Sequence, residues 1–197
     1  PDKPLVDPTC GSGTFCIEAA MMARQIAPGL RRTFSFEEWN WVDDRLIQEV
    51  RTEATKKINR DLVLDIMGTD IDARMVEIAK ENAQKAGVAS DITFKQMRVQ
   101  DLRSDKINGV IISNPPYGER LSDDAGVTKL YAEMGEVLAP LKTWSKFILT
   151  SDENFEKKFG RQADKKRKLY NGTLKVDLYQ FFGERVRRQA TSEKGNI

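Results

Sequence analysis

Short apolar segments alternate with helix-forming segments along this chain. Strand candidates lie at residues 5–6, 62–70, 92–96, 109–113 and 146–150. This alternation favours a parallel sheet with helices on both faces, because a crossover helix returns the chain to the start of each new parallel strand. Asn171-Gly172 then joins two antiparallel strand candidates in a tight turn. We predict an α/β fold, a Rossmann-like doubly wound mixed sheet with a terminal antiparallel hairpin.

Composition excludes several classes of active site. The chain has 197 residues, no histidine, and two cysteines at positions 10 and 16. Ser-His-Asp and Cys-His nucleophile sets are therefore excluded, as are the usual zinc hydrolase sites and imidazole as a general base. We expect no metal site, since the cysteine spacing suits neither a metal pair nor a disulfide framework. The apolar runs are far shorter than the roughly 20 residues that cross a bilayer, so we expect no membrane contact and a cytoplasmic location.

Positive charge is concentrated in the last third of the chain. Residues 154–190 carry eleven Lys or Arg and four Asp or Glu, a net charge of +7, whereas the whole chain has a formal charge of +2. Such a cluster can contact the phosphates of a polyanion such as RNA; a solvated surface would have the same composition. The predicted RNA-binding residues are Lys157, Lys158, Arg161, Lys165, Lys166, Arg167 and Lys168.

An insert rich in aromatic residues separates the first predicted helix from the second strand, at about residues 30–60. An amphipathic helix is predicted at 43–58, with a buried stripe that includes Leu46 and Val50. We expect the aromatic side chains before it to pack against this helix in preference to forming a base-stacking platform, and the insert to form a cap or extension. These side chains are Phe34, Phe36, Trp39 and Trp41.

Glycines and carboxylates follow the predicted strands, at the edge where ligands bind in a doubly wound sheet. Gly11 and Gly13 allow the backbone to approach a ligand at a helix N-terminus. Asp7 can bind an ammonium group, Asp70 two ribose hydroxyls, and Asp101 an adenine amine. Together these groups suit a nucleoside that carries an amino acid. Gly-x-Gly alone is weak evidence, because most such pairs form only a tight turn.

The sequence Asn114-Pro115-Pro116-Tyr117 follows the fourth predicted strand. The Asn114 amide oxygen and the Pro115 carbonyl can accept hydrogen bonds from an exocyclic amine, which localises the nitrogen lone pair and aims it at an electrophilic carbon. Proline fixes this geometry, and Tyr117 can stack on a base that is unpaired or flipped out of a helix. The tetrapeptide therefore indicates chemistry at an aromatic amine.

These motifs resemble those of class I S-adenosylmethionine-dependent N-methyltransferases that carry an NPPY motif. The resemblance is closest to the catalytic domain of THUMP-associated ribosomal RNA guanine-N2 methyltransferases, a family often labelled N6-adenine-specific DNA methylases. It covers residues 4–185 and rests on the segments 7–14, 68–72, 114–120 and 169–172.

The resemblance implies a seven-stranded sheet in the order 3-2-1-4-5-7-6 and S-adenosyl-L-methionine as the cofactor. Ile71 is then expected to lie against the adenine ring of the cofactor. The implied cofactor-binding residues are Asp7, Thr9, Gly11, Gly13, Asp70, Ile71, Asp101 and Asn114. The implied catalytic residues, at the target base, are Asn114, Pro115, Pro116 and Tyr117.

The implied activity is methyl transfer to an exocyclic amine in nucleic acid, with guanine N2 of 23S ribosomal RNA as the leading target. Adenine N6 in DNA and the N5 amide of a protein glutamine are alternatives, because the same tetrapeptide serves them. An RNA-binding module without catalysis is a further alternative, which the intact Asp70 and Asn114 disfavour.

The expected domain organisation is a single methyltransferase domain over residues 1–189, with the insert inside it. Residues 190–197 are expected to form a frayed tail. The RNA-binding THUMP domain that lies upstream in family members is expected to be absent from this chain.

Overall fold

Helical segments separate the strands along the chain up to residue 159, as the sequence predicts. The structure is a computed structural model that describes residues 2–116 and 124–184. Its strands are β1 (Leu5–Asp7), β2 (Ile66–Asp70), β3 (Ile92–Gln96), β4 (Val110–Ser113), β5 (Ser145–Thr150), β6 (Lys165–Asn171) and β7 (Leu174–Phe181). Its α-helices are α1 (Thr14–Ala23), α2 (Asp44–Lys56), α3 (Ala73–Ala86), α4 (Asp124–Leu138) and α5 (Phe155–Phe159).

The strands form one mixed sheet in the order β3-β2-β1-β4-β5-β7-β6. The first five strands pair in parallel, whereas β7 is antiparallel to both β5 and β6. This order confirms the predicted doubly wound fold with a hairpin at one edge. The strand order reverses at β1, which lies between β2 and β4. Such a switch point opens a crevice beyond the carboxyl ends of the strands.

Apolar side chains fill both faces of the sheet. One cluster contains the buried rings of Tyr131, Trp144, Phe155 and Tyr179, and it packs α4 and α5 against β4, β5 and β7. The other cluster packs α1 and α3 against β1, β2 and β3, and small buried side chains such as Ala79 allow the close approach. Because each face is covered, the strand ends are left as the place where polar groups meet solvent.

Local signals set the ends of α3 and of the hairpin. The Asp72 side chain accepts a hydrogen bond from the Arg74 N–H at 2.9 Å and begins α3, and Gly87, with φ of +77°, ends it. The hairpin loop comes one residue later than predicted, because Asn171 still pairs with Leu174. Gly172 is then the first residue of a two-residue loop, and its φ of +63° suits glycine.

The insert packs less closely than predicted, and it lies at the edge of the sheet opposite the ligand crevice. None of the α2 residues is buried, and Leu46 and Val50 are 58% and 57% exposed, so the predicted buried stripe is wrong. The insert also lies away from the ligand edge: α1 runs back to the amino-terminal edge of the sheet, where Arg24 at its end binds Asp91, just before β3. The insert is therefore an extension and not a cap over the crevice.

Candidate active site

The loop between β1 and α1 turns at two glycines. Gly11 and Gly13 have φ values of +51° and +84°, which L side chains rarely adopt. A Cβ atom on Gly13 would lie 2.9 Å from the Phe94 ring, so α1 and β3 can approach this closely only with glycine. Because α1 begins at Thr14, the unpaired N–H groups of its first turn lie at the carboxyl edge of the sheet and favour a negative group there.

Asp70, at the end of β2, is held by two backbone groups. The Gly11 N–H donates to its Oδ2 atom at 2.9 Å, and the Asp72 N–H donates to Oδ1 at 3.0 Å. A carboxylate oxygen has two lone pairs, so each oxygen of Asp70 can still accept one further hydrogen bond. The two backbone bonds therefore fix a carboxylate that can receive two neighbouring hydroxyl groups.

Asp7 is a buried carboxylate at the end of β1. The residue is 2% exposed, and the Thr9 N–H donates to its Oδ1 atom at 3.1 Å. Burial raises the pKa of Asp7 to about 7; the Thr9 hydrogen bond opposes this rise, and the negative charge of Asp70 adds to it. No cation pairs with Asp7 among residues 2–116 and 124–184. A bound ammonium group would therefore stabilise the ionised carboxylate.

The thiols near this loop are unreactive. Cys10 and Cys16 are free and buried, and burial raises the pKa of both, that of Cys10 to about 12. A thiolate nucleophile is therefore disfavoured at neutral pH. Within the described part of the chain, no group of His, Cys, Asp or Glu side chains could hold a metal ion. No helix there is both long and apolar enough to cross a membrane.

The residues after β4 form a loop that faces the glycine loop. Ser113, the last residue of β4, lies with its Oγ 2.7 Å from the Thr9 Oγ1 and so joins the two loops. The Tyr131 hydroxyl donates to the Pro116 carbonyl at 3.4 Å. The Asn114 residue is exposed, and its side chain has no hydrogen-bond partner in the described ranges. This amide is therefore free to bind a ligand, whereas Tyr117 lies outside the described residues.

A cavity of about 310 Å³ lies between these two loops. It brings together seven of the predicted residues, namely Thr9, Gly11, Asp70, Ile71, Asn114, Pro115 and Pro116. Asp7 and Gly13 are buried and do not line it. Asp101 also does not line it and is exposed in a 3₁₀ turn. The cavity thus links the carboxylate of β2 to the amide that follows β4.

Sequence reasoning missed the side of the cavity formed by the turn after β3 and by α4. The residues concerned are Met97, Arg98, Val99, Gln100, Leu130 and Glu133. Gln100, the residue before Asp101, lines the cavity, and its Nε2 donates to the Glu133 carboxylate. These two residues are 33 positions apart, so no local pattern could have shown that they meet. In the sequence, only the apolar character of Val99 and Leu130 could have indicated that this side of the cavity exists.

Several members of the predicted RNA-binding cluster are engaged within the protein. Lys166 Nζ lies 3.1 Å from an Asp177 oxygen and donates to the Tyr179 hydroxyl at 3.0 Å, and Lys158 binds Asp152 at 2.8 Å. Another member, the arginine at position 161, lies 3.4 Å from Asp164. These cations are less available to phosphates than the sequence suggested.

The remaining members of the cluster extend along β6. Lys168 pairs in register with Asp177, which pairs with Thr150 at the end of β5. Lys168 therefore lies level with the carboxyl edge of the sheet, where the cavity opens, and Lys165 lies nearer the opposite edge. Four members have no ion pair in the described part of the chain, namely Lys157, Lys165, Arg167 and Lys168.

Comparison with known families identifies the chain. Residues 1–180 match the family described as UPF0020: RMKL-like, methyltransferase domain. The chain belongs to this family. Membership of the RMKL-like methyltransferase domain family confirms the predicted resemblance.

Relatives of the RMKL-like domain include proteins named for RNA methylation. YpsC of Bacillus subtilis (strain 168), a candidate RNA methyltransferase by its name, is 51% identical over 192 residues, which are 97% of this chain and 50% of YpsC. The ribosomal RNA large subunit methyltransferase K/L of Legionella pneumophila (strain Philadelphia 1) is 40% identical over 89% of this chain and 25% of that protein. The chain thus spans half or less of the length of these relatives.

Solved structures share the fold closely. SMU.472, a candidate methyltransferase in complex with SAH, has a TM-score of 0.91 and 66% identity over 95% of this chain and 50% of that one. A structure from Listeria monocytogenes str. 4b F2365, named as a predicted N6-adenine-specific DNA methylase, has a TM-score of 0.88 and 49% identity over 93% of this chain and 47% of that one. Both are about twice as long as the described fold.

Proposed function

We propose that this domain transfers a methyl group from S-adenosyl-L-methionine to an exocyclic amine in nucleic acid, and that the target is guanine N2 of 23S ribosomal RNA. The observation that carries the proposal is the cavity that joins the Asp70 carboxylate to the Asn114 amide. A cofactor held at one end and an amine held at the other would meet inside this cavity. Positioning is then the main catalytic contribution.

The donor set of the cavity fits S-adenosyl-L-methionine. Asp70 offers one free lone pair on each oxygen, which suits the two ribose hydroxyls. Ile71 is 64% exposed and lines the cavity, so it offers an apolar surface to the adenine ring. Asp7 lies behind the glycine loop, and no cation within the described residues pairs with it, so we assign it to the ammonium group. Thr9, Gly11 and Gly13 would shape the methionine site. Asp101 follows the cavity residues Val99 and Gln100 in the same turn, and its assignment to the adenine amine would require this turn to adjust when the cofactor binds.

The chemistry at the target requires little beyond alignment. S-adenosyl-L-methionine supplies a methyl group that its sulfonium already activates. The Asn114 amide oxygen and the Pro115 carbonyl would accept hydrogen bonds from the target amine, so that its lone pair points at the methyl carbon. Pro116, which Tyr131 holds through its carbonyl, keeps the loop in place. Tyr117 would stack on the extruded base.

Nucleic acid is the substrate class that the charge distribution and the relatives favour. A relative that is 40% identical is named as a ribosomal RNA large subunit methyltransferase, and YpsC is named for RNA methylation. Arg167 and Lys168 on β6 are exposed, and Lys168 lies level with the edge where the cavity opens. We propose that the predicted cluster contacts phosphates mainly through its exposed members. Such a substrate implies a cytoplasmic protein.

Adenine N6 in DNA is the second candidate target. It is favoured by the Listeria structure, which is 49% identical and is named as a predicted N6-adenine-specific DNA methylase. The same Asn-Pro-Pro loop can bind either amine, because both are exocyclic NH₂ groups on an aromatic ring. Nucleoside analysis of the methylated product separates the two.

Cofactor binding is the direct test of the proposed site. Titration calorimetry with S-adenosyl-L-methionine should give saturable binding, and D70A should weaken it by about 100-fold or more, because two charge-assisted hydrogen bonds of about 1.5–3 kcal/mol each are lost. D72A is the matched control: it removes the neighbouring carboxylate, whereas the backbone N–H that holds Asp70 remains. Equal affinity of D70A and wild type would refute the assignment of Asp70.

A further inference from the structure

Four aromatic side chains of the insert form a continuous exposed row. The rings of Phe34 and Phe36 are stacked with centroids 5.7 Å apart, and those of Trp39 and Trp41 lie 5.2 Å apart. The ring centroids of Phe36 and Trp39 lie 6.4 Å apart, so these two rings connect the pairs. We call these four residues the aromatic row. Their exposure rises along the chain from 36% at Phe34 to 78% at Trp41, which is unusual for side chains of this size.

The aromatic row is held in place, although it is exposed. Arg51 of α2 donates to the Leu30 carbonyl at 2.9 Å and to the Arg32 carbonyl at 2.7 Å. The same guanidinium binds the Glu37 carboxylate at 2.6 Å. These polar contacts of Arg51 attach α2 to the loop that carries the rings. The rings are therefore presented to solvent in a set arrangement.

One arginine contacts the aromatic row, and two others line a polar cavity that shares Leu30 with the apolar groove beside the row. The Arg32 guanidinium lies 4.9 Å from the centroid of the Phe34 ring, and Leu30 lines both an apolar groove of about 290 Å³ and a polar cavity of about 460 Å³. Arg31 and Arg60 line the polar cavity, and neither has an ion pair in the described part of the chain. A third arginine of this cavity, at position 24, is paired with an aspartate.

We propose that the aromatic row and these arginines bind a single-stranded segment of the RNA substrate, with bases stacked on the rings and phosphates near Arg31 and Arg60. The inference rests on the proposed RNA substrate and adds a second contact surface to it. Exposed rings and adjacent guanidinium groups are the combination that holds single strands. Because acidic residues flank the tryptophans, at positions 38, 43 and 44, bases rather than phosphates should contact that end.

The position of this surface makes it a contact distinct from the catalytic cavity. The insert follows α1, whose ten residues extend about 15 Å from the carboxyl edge of the sheet. An RNA strand bound there would hold the substrate by a region remote from the target base. Affinity for single-stranded RNA should therefore persist without the cofactor.

Tryptophan fluorescence tests this proposal on the wild-type protein. Trp144 is 1% exposed and its indole N–H donates to the Lys106 carbonyl, so it should be insensitive to added RNA. Trp39 and Trp41 are the other two tryptophans of the chain. A short single-stranded RNA should quench their emission, whereas an abasic strand with the same backbone should quench far less. The titration uses no cofactor, so its result is independent of methyl transfer.

Variants show whether the rings contribute affinity by stacking. Anisotropy with labelled RNA should show that W39A/W41A binds more weakly than wild type by about 5- to 150-fold for each base that loses its stacking partner, whereas W39F/W41F stays within about threefold, since phenyl rings also stack on bases. F182A is the matched control, because Phe182 is an aromatic residue outside the surface with the same 51% exposure as Trp39. R31Q/R60Q should reduce the salt dependence of binding.

Three results would overturn the proposal. The first two are unchanged RNA affinity of W39A/W41A and equal quenching by the abasic strand. The third is a blue shift of the Trp39 and Trp41 emission with protein concentration alone, accompanied by a larger mass in sedimentation, which would show that a second copy of the chain covers the aromatic row. Absence of cofactor binding by the wild-type protein, or equal cofactor affinity of D70A and wild type, would instead contradict the proposed function and leave the quenching result unaffected.

Discussion

Replacement of Asp7 by Asn should make the protein more stable and its cofactor binding weaker. Burial raises the pKa of Asp7 from its ordinary 3.8 to about 7, which corresponds to about 4 kcal/mol spent on keeping the carboxylate charged, at 1.36 kcal/mol for each pH unit. D7N removes that charge and keeps an acceptor for the Thr9 N–H. The new amide donor costs about 1–3 kcal/mol if it finds no partner. The free energy of unfolding should therefore rise by about 1–3 kcal/mol at pH 8.

The gain should depend on pH in a defined direction. Because the pKa of Asp7 is higher in the folded chain than in the unfolded chain, the folded protein binds more protons between about pH 4 and pH 7. Wild type therefore becomes more stable as the pH falls through this window, and D7N does not. The advantage of D7N should shrink between pH 8 and pH 5.

Urea denaturation without cofactor at both pH values measures this difference. Calorimetry at pH 8 should show that D7N binds S-adenosyl-L-methionine about 10- to 100-fold more weakly, because the charged partner of the ammonium group is lost. If D7N were less stable than wild type at pH 8, or bound the cofactor equally well, the assignment of Asp7 as a buried carboxylate kept for an ammonium group would be wrong.

Three further substitutions test separate parts of the account. N114A should lower the rate of methyl transfer by about 100-fold or more and weaken cofactor binding less than D70A does, as steady-state kinetics and calorimetry would show. G13A should lower the free energy of unfolding by about 1–3 kcal/mol, because position 13 has a positive φ and the added Cβ would lie too close to the Phe94 ring. R24M should cost about 3 kcal/mol in the same urea assay, because it leaves Asp91, whose side chain is 5% exposed, without its cation.

The elements with strong local signals could be predicted from the sequence. The helix α3 has both ends where its Asp72 cap and Gly87 place them, and the apolar run of β4 leads to Asn114 as expected. Carboxyl ends of parallel strands meet at one edge, so the proximity of Asp70 to the glycine loop also followed. Sheet order came from the resemblance and not from the residues.

Features that depend on distant contacts could not be predicted. The amphipathic pattern of α2 indicates an apolar face, but not what covers it, and no part of the described fold buries that face. Gln100 meets Glu133 only because the turn after β3 packs beside α4. Because side chains alternate along β6, the sequence predicts which face of the sheet each lysine lies on. It does not predict the ion pair of Lys166, because that depends on Asp177 of the neighbouring strand.

Transfer of the methyl group is the measurement that tests the central claim most directly. Methyl-labelled S-adenosyl-L-methionine would be incubated with the protein and unmodified large-subunit ribosomal RNA, with DNA in a parallel reaction and N114A as the control, and the products would be digested to nucleosides. We predict label in N2-methylguanosine from the RNA and its loss with N114A. Label in N6-methyladenine of the DNA, or transfer that N114A leaves unchanged, would contradict the proposed target or the proposed site.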